Sequence, residues 1–458
     1  MKILRRCFWM LLCFAFVSSV WAQNQEKVTR PGRHLTPQHR MASLLSKAQR
    51  MAQPGSHRAF AIRPDASKTW DLGFYPGAST TALQSINDFG VAMGWADMPV
   101  EEGTETHMIG IPLIGFHAGQ WFDTVISGEN DAGEAGGISN TGIIVGNIMD
   151  SDGSPEAYAW LPNHTGFHLG KYSDANGVDD ASTAIAINHS GTIIVGTSGK
   201  LMPDGTERVT ALAWTSKVIW TKGQPTLSWD KHVLPTGGWE KLGAVFDGIA
   251  LIAWGGYGVN DLGQIAGDGW FYDPVQDEWW EIAVVWTPIR DGTGWAIQRL
   301  PMAPHFAYNE ALAINDSGEI VGDVWESNAF PALYEQDPGN RKWSVKVLPA
   351  APRLKYGWSV AWGINDLGDI VGYCSDENWI GHATRWNSHD LRFVQSLGFP
   401  GDTSAAYGVN KLGMAVGGYQ NIVSYDADGN PIFSPEEAAA VQFRQRFPRI
   451  AAIQDHVA

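Results

Sequence analysis

The sequence is poor in cysteine, in charge and in long apolar runs, and each shortage excludes something. Of three cysteines in 458 residues, Cys7 and Cys13 fall in the first 22 residues, and Cys374 stands alone. Once that leader is removed no internal disulfide can form, and Cys374, just past a repeated hairpin, reads as a small apolar residue rather than a reactive thiol. Charged residues make up 17% of the chain, against roughly a quarter in an average soluble domain. The formal net charge of -16 becomes -19 without the leader. Residues 23–58 hold seven Lys or Arg against one Glu, which leaves the body at -25. A body that acidic lacks the basic stripe that nucleic acid requires; cations, basic partners or neutral sugars suit it better. The longest apolar run, Phe8 to Val20, has 13 residues, whereas a bilayer-spanning helix needs roughly 20, so no transmembrane segment is expected. HExxH, paired CxxC and P-loop signatures are all missing.

Lys2, Arg5 and Arg6 precede the apolar run, and Val20 and Ala22 follow it. This order reads as a secretory signal over residues 1–22, cleaved near Ala22, and predicts a secreted or periplasmic protein. Residues 23–56 form a basic polar tail. Within it Thr36 and Pro37 predict a helix start, and Met41, Leu44, Leu45, Ala48 and Ala52 share one helical face, so a short N-terminal helix outside the main domain is expected.

From residue 57 to 450 the chain is organised by copies of WGINDLGDIVG, Trp362 to Gly372. Numbered from the place of Asn365, the units centre on Asn87, Ser139, Asn188, Asn260, Asn315, Asn365 and Asn410, at intervals of 52, 49, 72, 55, 50 and 45 residues. The long interval contains an insertion at 200–251, carrying Trp220, Trp229 and Trp239, and residues 451–458 are a C-terminal tail. Three residues after each reference position stands Gly: Gly90, Gly142, Gly191, Gly263, Gly318, Gly368 and Gly413. The spacing predicts a type I turn held by the Asn side chain, with its last residue at positive φ. Immediately before the reference residue stands Ile or Val; two before it stands Ser, Ala or Gly. A strand face that is always small is expected where neighbouring sheets crowd near an axis.

Two more strands fit between successive hairpins. One ends in an aromatic, as in TALAW at 210–214 and HATRW at 382–386; the other runs into a Leu-Gly or Leu-Pro corner, as in FHLG at 167–170 and VKVLP at 345–349. About four antiparallel strands in each of seven repeats predict an all-β, seven-bladed β-propeller. The expected closure pairs the strand at 438–444 with the N-terminal one in a single blade. The HAF-like strand, the DLG corner and the S-x-A-x-x-I-N-D-x-G-x-I-V-G hairpin together resemble the extracellular HAF-repeat family over nearly all of 57–444. That resemblance implies an exported protein of propeller fold and brings no catalytic residues with it.

The candidate sites are therefore sought where the copies differ. GWSVA at 357–361 resembles a nucleophile elbow, but Ser359 occupies a column that also holds Thr81, Ser182 and Ser404, so no catalytic residue is assigned. Residues just past the hairpin, Trp95, Asp268, Trp270, Asp323, Trp325 and Tyr373, would gather on one face and combine aromatic planes with carboxylates, a chemistry suited to sugars, against the plainer reading of blade packing. Asp150 with Asp152, Asp426 with Asp428, and Asp179 with Asp180 could offer oxygens to calcium or simply form turns; no cofactor is required. The function expected is a monomeric repeat scaffold binding a glycan or an extracellular protein without catalysis. The alternative is a polysaccharide hydrolase or lyase with carboxylates at the axial mouth.

Overall fold

A computed structural model describes residues 66–443 apart from 124–134, 150–153, 202–206, 237–249, 274–277, 351–357, 377–379, 427–430 and a few breaks of one or two residues. The chain opens with β1 (Ala66–Gly73) and then builds blade I from β2 (Thr80–Ile86), β3 (Val91–Val100), β4 (Gly103–Pro112) and β5 (Phe122–Asp123). Blade II is β6 (Ala135–Ile138), β7 (Ile144–Met149), β8 (Pro155–Trp160) and β9 (Gly166–His168), followed by the small ribbon β10 (Ser173–Asp174) and β11 (Gly177–Val178). Blade III is β12 (Ala181–Ile187), β13 (Ile193–Leu201), β14 (Glu207–Thr221) and β15 (Gln224–Val233). Blade IV is β16 (Ala250–Val259), β17 (Ile265–Asp273), β18 (Glu278–Pro288) and β19 (Trp295–Arg299). Blade V is β20 (Tyr308–Ile314), β21 (Ile320–Trp325), β22 (Ala329–Gln336) and β23 (Trp343–Val347). Blade VI is β24 (Ser359–Ile364), β25 (Asp369–Ser375), β26 (Gly381–Asn387) and β27 (Val394–Ser396). Blade VII starts with β28 (Thr403–Val409) and β29 (Met414–Gln420), and is interrupted by the ribbon β30 (Ile422–Tyr425) and β31 (Pro431–Phe433). It ends with β32 (Glu437–Phe443), whose far side carries β1. The fold is a seven-bladed β-propeller of four-stranded antiparallel blades, closed as expected by pairing β1 with β32, with Trp70 opposite Ala440.

One expectation is corrected. The described residues contain no helix, so the architecture is all strand. The helix read at residues 36–52 lies outside the described residues. A short amphipathic pattern is weak ground for a helix, since a segment of that length is marginal in water unless tertiary packing supports it. Among the described residues no helix is long and apolar enough to cross a membrane.

The repeated columns now have causes. Each turn Gly has positive φ, between 70° at Gly413 and 81° at Gly318, where a Cβ would be strained. The Ile or Val before each Asn enters the layer between blades: Ile314 packs with Ala266, Ala283 and Val285, and Ile364 with Val321 and Leu333. The small column is where adjacent inner strands touch. A Cβ on Gly258 would lie 2.9 Å from Cα of Ala313, and one on Gly408 would lie 3.2 Å from Cα of Ser85. The aromatic strand ends and the Leu-Gly or Leu-Pro corners meet across blades. The buried indoles of Trp214, Trp286 and Trp386 each donate at 2.8 Å to a corner carbonyl of the preceding blade, at Leu169, Pro235 and Pro349.

The Asn column links the blades into a belt. The side-chain amide of Asn87 donates to Ser139 O (3.1 Å), Asn260 to Asn315 O (2.9 Å), Asn315 to Asn365 O (3.1 Å), Asn365 to Asn410 O (2.8 Å) and Asn410 back to Asn87 O (2.8 Å). All these Asn side chains are buried, while their Oδ1 atoms hold the local turn, as Asn365 does with the amides of Leu367 and Asp369. Two rungs differ: Ser139 has no amide, and Asn188 turns its own onto Ser190 and Thr192. Loss of a rung takes one of two donors from a carbonyl that keeps its turn Gly amide, as Asn87 O keeps Gly90 N at 3.0 Å, and truncating the Asn also strips the turn amides of their Oδ1 acceptor, at a cost of about 1–3 kcal/mol. Asn410→Ala should therefore lower the unfolding free energy by about that amount, and more than Asn188→Ala does, as read by urea denaturation. Deleting residues from 438 onward removes the strand between β29 and β1 and should depress the melting temperature sharply; an unchanged value would contradict ring closure through that strand.

Candidate functional site

A second regularity of the inner strands is not visible in the motif. In every blade the pairing of the inner strand with the next skips one residue, the third before the reference position: Gln84, Gly136, Ile185, Tyr257, Leu312, Trp362 and Tyr407. Each is a β-bulge, which re-aims its side chain. The bulge pushes a carbonyl against the return strand, and there only Gly fits; a Cβ on Gly372 would lie 1.9 Å from Val360 O. Bulge residues from successive blades touch one another. Tyr257, Leu312 and Trp362 belong to one packed cluster, and the rings of Trp362 and Tyr407 are 6.1 Å apart. Equivalent positions related by the ring's rotation can meet only beside its axis, so these side chains line the centre, and Tyr257, Trp362 and Tyr407 are only half-buried there.

Behind them, the residue following each return-strand Gly forms a second tier: Trp95, Asn147, Thr197, Asp268, Asp323, Tyr373 and Gly418. In blades IV and V this tier is joined by two glutamates. Glu310 on β20 stands directly opposite Asp323 on β21, and Glu281 on β18 stands opposite Trp270, two residues from Asp268 on β17. Asp268, Glu281, Glu310 and Asp323 are 1%, 2%, 2% and 1% exposed. Hydrogen bonds run in a row from Tyr257 to Asp268, to Glu281 and to Glu310. Burial, followed by repulsion from the neighbouring carboxylates, raises Glu281 and Asp323 well above the usual carboxylate range, and burial with Asp268 nearby pushes Glu310 up to about 8. The phenols of Tyr257 and Tyr373 are raised for the same two reasons.

Blade VII adds a fifth acid by another route. Gly418 leaves a gap in its tier that Glu436 fills: a Cβ there would lie 2.1 Å from Glu436 Oε1. The Tyr407 hydroxyl donates to that oxygen at 3.3 Å, and burial, with Asp97 adding repulsion, pushes Glu436 up to about 8. Blades IV to VII thus present a half-circle of aromatic rings backed by buried carboxyls.

Of the residues read from the sequence, Asp268, Asp323 and Tyr373 come together in this half-circle. Trp325 borders it, buried and stacked on Tyr308 with ring centroids 4.1 Å apart. Trp95 is buried on blade I, away from the cluster, and Trp270 lies on β17 opposite Glu281. Asp150, Asp152 and Asp428 lie outside the described residues, and Asp426 is exposed just after β30. Asp179 is paired with Arg208 at 2.6 Å. Ser359 and Cys374 are buried in blade VI. Glu281, Glu310, Glu436, Trp362 and Tyr407 carry no signal in the motif itself; Trp362 and Tyr407 fall in a column, three before each Asn, whose residue type varies freely, and the glutamates fall outside it.

The turn side of the ring carries its own charged belt. The residue after each reference position contributes Asp88, Asn140, His189, Asp261, Asp316, Asp366 and Lys411. One carboxylate oxygen of Asp261, Asp316 and Asp366 accepts from the neighbouring blade's amide at 2.7–2.9 Å. His189, Asp261 and Asp316 bring their side-chain ligand atoms within 4.8 Å of one another. His189 also lies 3.7 Å from Asp316 and from Asp366, while the Lys411 ammonium is 2.8 Å from Asp366 and 3.4 Å from Asp88. Lys411 thus supplies a cation to two of the carboxylates of this mouth.

No protein-family model matches the sequence, and no curated relative matches it. Among solved structures the chain is similar to the β-propeller domain of the Trilobed protease from Pyrococcus furiosus, with 10% identity over 70% of this chain and 96% of that one and a TM-score of 0.36. It is similar to a mutant of Trypanosoma rangeli sialidase displaying trans-sialidase activity, with 12% identity over 80% and 54% of the two chains and a TM-score of 0.38. It is also similar to a puromycin hydrolase mutant complexed with PGG, with 13% identity over 81% and 56% and a TM-score of 0.40. The chain spans little more than half the length of the latter two.

Proposed function

We propose that this chain is an exported, monomeric propeller of the HAF-repeat kind that binds a glycan, or a basic segment of an extracellular protein, at the centre of its ring without turning it over. The observation that carries this reading is the pair of half-buried rings, Trp362 and Tyr407, 6.1 Å apart, with the Tyr407 hydroxyl on the Glu436 carboxyl. Flat aromatic faces offer stacking to sugar C–H groups or to cations, and the phenol and carboxyl beside them offer orienting hydrogen bonds. The acidic body supports a neutral or basic ligand and opposes an acidic one.

The hydrolase reading draws on Glu310 and Glu436, each protonated at neutral pH as a general acid must be. It is disfavoured by access. A catalytic carboxyl has to touch the scissile bond, and Glu310 and Glu436 are 2% and 7% exposed.

Trp362→Ala should weaken retention on a binding polysaccharide at least tenfold while leaving the melting temperature within a few degrees, with no reducing ends released by either protein. Release of reducing ends that Glu436→Gln abolishes would replace this reading with the hydrolase. Glu436 also makes stability depend on pH. In the folded chain it keeps its proton up to about pH 8, whereas in the unfolded chain it ionises near 4.5. Over that window the folded state binds more protons, so stability is highest at the acidic end and falls as pH rises. Glu436→Gln should make the decline in melting temperature between pH 5 and 8 shallower. An unaltered slope would mean that this carboxyl is not held protonated by burial.

A further inference from the structure

We propose that the groove between the outer strands of blades IV and V binds an acidic sugar residue, a pyranose bearing a carboxylate or a sulfate, independently of what the centre of the ring binds. The groove measures about 470 Å³, a size usual for small-molecule sites. Gln298 and Arg299 of β19 and Met302 beyond it line one side; Arg341, Lys342 and Trp343, where β23 begins, line the other. Three of these side chains are cationic, and no carboxylate lines the groove. In a chain whose body is acidic, such a concentration of positive charge is local.

The acids of the adjoining hairpin are committed elsewhere. Glu335 on β22 pairs with Lys346, and Asp337 Oδ1 accepts from the amides of Gly339 and Asn340 at 2.7 and 3.1 Å. Among the described residues the side chains of Arg341 and Lys342 make no ion pair or hydrogen bond. Arg299 is partly desolvated, which lowers its pKa and which a bound anion would offset. The backbone points the same way. Arg341 has φ 61°, in the left-handed region that Gly and Asn tolerate best, although Gly339 and Asn340 stand just before it. The hairpin thus holds a guanidinium where the turn itself favours Gly, and strain of this kind is found at ligand clamps.

The groups present select the ligand. A guanidinium offers paired N–H donors that match two oxygens of a carboxylate or sulfate, and the Lys342 ammonium adds a point charge. The half-buried Trp343 donates from Nε1 to Gln298 Oε1 at 3.3 Å, which ties the two sides of the groove together and fixes the indole. An indole face beside polar groups suits the C–H face of a pyranose, and the Gln298 amide can donate to a ring hydroxyl. A bare anion would use the cations and leave the ring idle. A nucleic acid or a long polyanion would have to lie along the acidic body, which repels it. A single acidic residue or a chain end meets only the groove.

The test titrates the full chain at low salt by calorimetry with short oligogalacturonate, sulfated oligogalactose, neutral oligogalactose and sodium sulfate. At least one acidic sugar should bind at least tenfold more tightly than the neutral sugar and than sodium sulfate, and its affinity should fall as salt rises. Which of the two binds tells carboxylate from sulfate. Arg341→Gly combined with Lys342→Gln should weaken that binding at least tenfold. Gly relaxes the left-handed backbone, so the variant should melt no lower than the wild type. If it does melt lower, Arg341→Gly alone should still weaken binding several-fold. Trp362→Ala should bind the acidic sugar as the wild type does, which separates this groove from the centre of the ring. The proposal is overturned if neither acidic sugar binds, or if sodium sulfate binds as tightly as they do, since the groove then holds a simple anion only. It is equally overturned by binding that the Arg341 variants leave unchanged or that Trp362→Ala abolishes, since the sugar then sits elsewhere.

Discussion

The propeller depends on a hydrogen bond between like positions of unlike blades: an Asn side-chain amide donating to the backbone carbonyl of the next reference residue. One side chain does two jobs. Its oxygen shapes the turn that returns the strand, and its amide fixes the angle to the next blade, so local and global geometry are set together. Burial makes the bond consequential, because neither partner can turn to water. The small residues and the Ile or Val around it serve the same end, letting inner strands approach to backbone contact on one side and filling the space between blades on the other.

That architecture was largely readable. A run of Asn-x-x-Gly turns with β-branched and small neighbours has few structural solutions, and the two flanking strands, one ending in Trp and one in a Leu corner, proved to be partners in an indole hydrogen bond. The bulge was not readable, since its residues run from Gly136 to Trp362 and share no chemistry. A position defined by backbone geometry shows itself in sequence only through its neighbours, here the return-strand Gly that meets the displaced carbonyl. The same limit hid Glu281 and Glu310. Asp268 and Asp323 sit at a fixed distance from the motif and could be flagged, but their partners lie on other strands, and only the stacking of blades IV and V brings them together. The helix read before residue 57 rested on local pattern alone, and local pattern at that length is marginal without tertiary packing.

Scaffold and site divide the molecule's physical demands between them. Rungs, indoles and the filled layers between blades satisfy nearly everything they bury, whereas the centre of blades IV to VII holds carboxyls and phenols whose burial works against the fold. Such local conflict persists only where the surroundings over-determine it. Here the surroundings are a closed ring in which no blade can shift without displacing two neighbours.

Closure through β1 and β32 has a consequence for how the chain reaches this state. The strand at Ala66–Gly73 emerges early and finds its partner at Glu437–Phe443 only when nearly the whole chain is out. Until then β29 and β1 each present an unpaired edge, and the last Asn rung, which spans 323 residues, cannot form. Ring closure is thus a late, nonlocal step, and the edges awaiting it match those of any other unfinished copy. At high local concentration the first strand of one molecule has the geometry to complete the last blade of another, so the pairing that makes a monomer is also the one through which the chain can swap strands into an oligomer.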